Sequence, residues 1–233
     1  MSDSQDTENN PEGGMSPLHL AAVQGELAEV EQLLTDGANP HALNIDKQPP
    51  LFNTLECAIS DTPEIKATRE KTFKLLWDET PEKRLSQDKE GNTVLHLMAV
   101  YDFDNLIRDY IHEAPQLAAV PAYYHNQPCP IHTAILNRRL NAAKALFELD
   151  PETSHYRDGK NQSPLHYAVR YGSKNMVELC CAYQKDNLNE PDRDGKTALA
   201  WAIETKRDDI KTYLIEQGAD ENAANSNTTT IRH

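Results

Sequence analysis

Four histidines, His19, His96, His132 and His166, are the residues of this 233-residue chain whose type and recurrence most invite a chemical role. Imidazole serves as metal ligand, general base or hydrogen-bonding strut. A metal site needs two ligands on one face, as H-E-x-x-H provides one helical turn apart, and that spacing is absent. Each of the four instead follows an aliphatic residue in a recurring hexapeptide. The copies are Ser16-Pro17-Leu18-His19-Leu20-Ala21, Thr93-Val94-Leu95-His96-Leu97-Met98, Cys129-Pro130-Ile131-His132-Thr133-Ala134 and Ser163-Pro164-Leu165-His166-Tyr167-Ala168. A buried ring nitrogen needs a partner, so the four are expected to be structural. Cys129 stands three residues before His132 and could be drawn as a nucleophile, but catalysis would need a shaped pocket and a third, orienting group. The simpler expectation is that Cys129 replaces a capping hydroxyl. No phosphate-binding glycine loop, nucleophile elbow, kinase set or zinc-finger spacing appears. The expectation is no catalytic residue, no metal and no cofactor.

The elements that position these residues follow from two further copies, Pro50-Leu51-Phe52-Asn53 and Thr197-Ala198-Leu199-Ala200-Trp201-Ala202. Aligned on Leu18, Leu51, Leu95, Ile131, Leu165 and Leu199, the steps are 33, 44, 36, 34 and 34 residues. A period near 33 carrying T-P-L-H-x-A marks an ankyrin array, and the chain resembles the ankyrin repeat family from about Met15 to about Ala223. The resemblance implies an all-α solenoid of six helix–turn–helix repeats, near 15–47, 48–91, 92–126, 127–160, 161–194 and 195–223, joined by short hairpin-like loops. It also implies that the motif histidine hydrogen-bonds the hairpin backbone. Ser16 with Pro17 reads as a helix start, and so does Thr62 before Pro63. The 44-residue step adds about eleven residues to the second repeat. They lengthen its helix pair around 61–64 and through Phe73–Trp77, either as a tolerated accident or as a partner-specific addition. Residues 1–14 read as a disordered acidic tail and 224–233 as a flexible polar tail.

A formal net charge of −14 argues against nucleic acid and against an anionic membrane as partner, since both call for a basic face. No run of 18 apolar residues exists, so no membrane insertion is expected. The four cysteines lack C-x-x-C spacing and fit a reduced cytosol. The expected state is a cytoplasmic monomer.

What remains is surface, and the resemblance implies that hairpin tips and the concave face of the inner helices meet a partner protein. The residues so placed are Tyr101, Asn137, Tyr167, Arg170, Tyr171 and Trp201 on the face, with Tyr123, Tyr124, Lys160 and Lys196 toward the tips. Tyr, Trp and Arg dominate interface hot spots. Two readings stand for the rings: a binding strip, or side chains that fill gaps between repeats. The degenerate, Asn-, Gln- and His-rich repeats and the tail 226–233 also resemble bacterial effectors secreted by type IV systems into a host cytosol. The alternative is a resident cytosolic adaptor or inhibitor.

Overall fold

The computed structural model describes residues 14–56, 62–123, 126–184 and 187–225. The acidic stretch before Gly14, Cys57, Tyr124 and the tail from Ser226 fall outside the described residues. Among the described residues every regular element is helical. The chain divides into two compact units, Met1–Tyr101 and Asp102–His233.

The first unit holds α1 (Pro17–Gln24), α2 (Leu27–Thr35), α3 (Pro50–Asn53), α4 (Pro63–Glu79) and α5 (Val94–Tyr101). Helix α1 packs on α2 and α3, and α2 packs on α4. Ser16 and Thr62 start α1 and α4 by accepting the backbone N–H of His19 and Ile65, each with proline at the first helical position. Proline costs nothing there, because that N–H would lack an intrahelical acceptor anyway. The extra residues of the second repeat go into α4, which runs 17 residues against 9 for α2. The helix buries Phe73, Leu76 and Trp77, the two rings 5.4 Å apart. Each such side chain contributes about 1.5–3 kcal/mol, which anchors the long helix in the core of the first unit.

The second unit holds α6 (Asp104–Tyr110), α7 (Pro130–Leu136), α8 (Leu140–Leu149), α9 (Pro164–Tyr171), α10 (Lys174–Tyr183), α11 (Ala198–Glu204), α12 (Asp208–Glu216) and α13 (Glu221–Asn225). The inner helices α7, α9 and α11 stack in sequence, and the outer helices α6, α8, α10 and α12 stack behind them. The buried inner positions are small or aliphatic: Ile131, Ala134, Leu165, Ala168, Leu199 and Ala202. The motif recurs for that reason, because the shared face of each close helix pair takes one large aliphatic residue and, three positions on, an alanine. In α12, Ile210 and Leu214 are buried, Tyr213 is half-buried, and Asp208, Asp209 and Glu216 are exposed.

Four of the loops between repeats are built alike. Asn44, Asp88, Asp158 and Asp192 each open a five-residue turn. In each, one side-chain oxygen accepts the backbone N–H groups two and four residues on, at 2.7–3.0 Å. This is an Asx turn. The fourth position has positive φ, filled by Gly91 and Gly195 but also by Lys47 and Asn161. In the fifth repeat the left-handed residue is therefore Asn161, not Gly159.

Candidate functional site

The motif histidines are struts. At His166, Nδ1 accepts the backbone N–H of Ser163 at 3.2 Å, while the Ser163 hydroxyl lies 2.7 Å away. An acceptor Nδ1 places the ring proton on Nε2, which donates it to the Lys196 carbonyl of the next turn at 3.0 Å. His19 repeats this with Ser16 and the Gln48 carbonyl, and His132 with Cys129 and the Gln162 carbonyl. His96 accepts the Thr93 N–H in the same way. Each ring thus caps its own helix, and those of His19, His132 and His166 tie it to the following loop. The Nδ1 lone pair a metal would need is already taken by a backbone donor. Burial holds His19 and His166 below the ordinary imidazole pKa, against the opposing pull of their bonds to Gln48 and Lys196.

Cys129 occupies the cap position of α7, 5% exposed. Burial pushes its thiol up to about 11, and Sγ lies 3.7 Å from the Ala119 carbonyl. A protonated thiol is a poor nucleophile. Burial likewise raises Cys180 and Cys181.

The predicted face residues separate into two groups. Tyr167 is only 4% exposed. Its ring packs against His132 at 4.8 Å and Tyr171 at 5.6 Å, and its hydroxyl donates to Asp158 Oδ2 at 3.0 Å. It fills the gap between α7 and α9. Asn137 is exposed and ends α7 by donating to the Thr133 carbonyl at 2.9 Å. Tyr101 is half-buried and belongs to the first unit. Tyr123 is 64% exposed.

Arg170, Tyr171, Lys196 and Trp201 come together at a half-exposed patch of the second unit. The Arg170 guanidinium carbon lies 4.1 Å from the Trp201 ring centre and 4.8 Å from that of Tyr171. Lys196 Nζ lies 4.2 Å from the same indole and pairs with Glu204. Beneath them is a buried hub. Asp192 Oδ2 accepts Trp201 Nε1–H at 2.9 Å and Gln162 Nε2–H at 3.0 Å, and Gln162 Oε1 accepts from Arg170 at 3.1 Å. Burial pushes the Asp192 carboxyl up, but the donors Gln162, Lys196 N–H and Trp201 outweigh it and hold it below its ordinary value. The patch is therefore wired to the turn that His166 braces. Arg138 and Arg207 approach α9 from either neighbouring repeat. Arg138 donates to the Tyr171 carbonyl at 3.0 Å, and Arg207 to those of Val169 and Gly172 at 2.7 and 2.9 Å.

Asp192, Gln162 and Arg207 were not foreseen from the sequence. The signal for Asp192 is present, since Asn or Asp recurs at the same distance before four of the motifs. Gln162 and Arg207 act across 30 or more residues and carry no local mark.

Comparison with known proteins matches residues 131–225 to the model for ankyrin repeats in three copies and residues 13–45 to the single ankyrin repeat. An ankyrin repeat protein of Acanthamoeba polyphaga mimivirus is 31% identical over 138 residues, 58% of this chain. The chain spans only 18% of that relative's length. Among solved structures, the ankyrin repeat domain of Bcl-3, described as a unique member of the IkappaB protein family, superposes with a TM-score of 0.71 at 25% identity, covering 90% of this chain and 89% of that one. A chain from the complex of the Bd0816 predatory endopeptidase of Bdellovibrio bacteriovorus with immunity protein Bd3460 gives 0.69 at 18% identity, covering 87% and 98%. This chain belongs to the ankyrin repeat family, an all-α fold of stacked helix pairs that serves as a protein-interaction module.

Proposed function

We propose that the chain acts by holding a partner protein on the patch formed by Arg170, Tyr171, Lys196 and Trp201. The observation that carries this reading is the hydrogen-bonded seat under the patch: Asp192 and Gln162 fix Trp201 and Arg170 before any partner arrives. Immobilising such side chains on docking costs about 0.5–1.5 kcal/mol each, and side chains already fixed avoid much of that cost. The half-exposed indole and guanidinium are also the groups that contribute most at interfaces. The endopeptidase–immunity protein complex supplies a chain of the same fold from a protein–protein assembly. Lys160 and Tyr123, both exposed, would meet the partner at the rim.

The test is a pull-down with the wild-type chain beside a Tyr171→Ala/Trp201→Ala variant first checked for folding by circular dichroism. A protein retained by the wild type and lost by the folded variant supports the reading. Identical retention by both removes it. Delivery into a host cell and residence as a cytosolic adaptor or inhibitor make the same demand on this surface. A translocation reporter with and without residues 226–233 separates them.

A further inference from the structure

The patch differs in chemistry from the rest of the molecule. The chain carries a net charge of −14, yet four cations gather around two adjoining turns of the second unit. Arg170 and Lys196 lie over Trp201. Lys160 and Arg193 sit on neighbouring hairpin tips joined by a backbone bond, the Arg193 N–H donating to the Lys160 carbonyl at 2.9 Å. Both tip side chains are exposed, and neither forms an ion pair among the described residues.

The local carboxylates offset this set in number but are turned to other partners. Asp158 and Asp192 are buried, and both oxygens of each already accept hydrogen bonds. Glu204 matches Lys196, and Glu190 pairs with Arg157. Asp194 is the exposed carboxylate on the tip itself. Arg170 is the distinctive member. Two rings and the Gln162 side chain fix its position, and one of its five N–H donors has an acceptor among the described residues. A guanidinium fixed in this way presents a planar fork, and the fork matches a carboxylate in a way that a lysine cannot.

Building on the protein-binding reading above, we infer that this patch recognises an acidic segment of the partner, with a carboxylate on the Arg170 fork and an adjoining apolar or aromatic side chain on Tyr171 and Trp201. Lys160 and Arg193 then steer and flank the segment. The overall negative charge of this chain opposes long-range attraction, so steering by Lys160 and Arg193 is confined to short range, within about 10 Å at 0.1 M salt.

The experiment is selection of a random peptide library displayed on phage against the full chain, followed by titration of the selected peptides. Enrichment of Asp or Glu beside an aromatic or aliphatic residue is expected. So is a loss of affinity of about tenfold or more in Arg170→Gln and Arg170→Lys, with unchanged melting temperature. If Arg170→Gln lowers the melting temperature, Lys160→Gln/Arg193→Gln provides the second test, through a lower on-rate and a shallower salt dependence. Selected peptides without acidic enrichment, or acidic peptides bound equally by both Arg170 variants, overturn the inference. So does a chain that selects nothing, or one whose Arg170 dependence appears only on phosphatidylserine vesicles. The protein-binding reading is judged separately, by retention of a partner that depends on Tyr171 and Trp201. A retained partner whose contact segment is neutral or basic would leave that reading standing and end this one.

Discussion

At the scale of single residues, the motif histidines couple stability to pH. A proton added to Nδ1 of His166 would face the Ser163 N–H that Nδ1 now accepts. The buried ring is held below its ordinary pKa, so between that lowered value and about 6.5 the unfolded chain binds more protons than the folded one. Stability is therefore full above about pH 6.5 and is lost as pH falls through the folded pKa. Carbon-detected NMR titration of His166 should show a midpoint below 6.5, with denaturant midpoints falling over the same window; an ordinary midpoint would contradict the strut geometry. His166→Ala should cost about 1–3 kcal/mol, because it strands a backbone donor at Ser163 and an acceptor at Lys196; unchanged urea denaturation would argue against that role. Cys129→Ser restores the hydroxyl that caps α1 and α9 and should raise stability by about 0.5–1 kcal/mol, read as a higher melting temperature. The histidine positions were legible because the motif repeats and a buried nitrogen must be paired. The fate of Tyr167 was not: its place beside Tyr171 and Trp201 in the pattern looks like surface. Only the Asp158 carboxylate, nine residues upstream, shows that its hydroxyl points into the fold.

At the scale of elements, the helix pairs depend on tight reversals. Gly25 ends α1 at φ 73°, and a Cβ there would lie 3.2 Å from Cγ of the buried Arg69 of α4. The left-handed backbone alone costs a residue bearing a Cβ about 1–2 kcal/mol. Gly25→Ala should therefore lower the denaturant midpoint without changing the slope of the transition, and an unchanged midpoint would sink the argument. The longer α4 could be read from Thr62-Pro63 and the apolar spacing of Phe73, Leu76 and Trp77. Its use of a buried arginine could not: Arg69 donates to the Thr54 carbonyl at 3.4 Å, beyond the end of α3. The same limit hid Arg207, which caps α9 from the next repeat. Periodicity gives an element and its buried stripe, whereas a long polar side chain reaching a neighbouring element depends on stacking register, which no local pattern encodes.

At the scale of the whole molecule, one repeated unit is put to two uses. The hexapeptides, the Asx turns and the histidine struts recur in both units and account for the fold. Only the second unit combines them with Arg170, Tyr171, Lys196 and Trp201, and there the strut at His166, the turn at Asp192 and the patch form one continuous set of bonds. Fold and recognition are thus coupled through a few residues: loosening the turn also loosens the surface. The most direct measurement is calorimetric titration of the retained partner into the wild-type chain and into folded Trp201→Ala. A loss of about 2 kcal/mol or more is expected, the range of an interface hot spot, in a variant that circular dichroism shows to be folded although the lost bond to Asp192 lowers its melting temperature. Equal affinity in the two proteins would contradict it and place the working surface elsewhere on the chain.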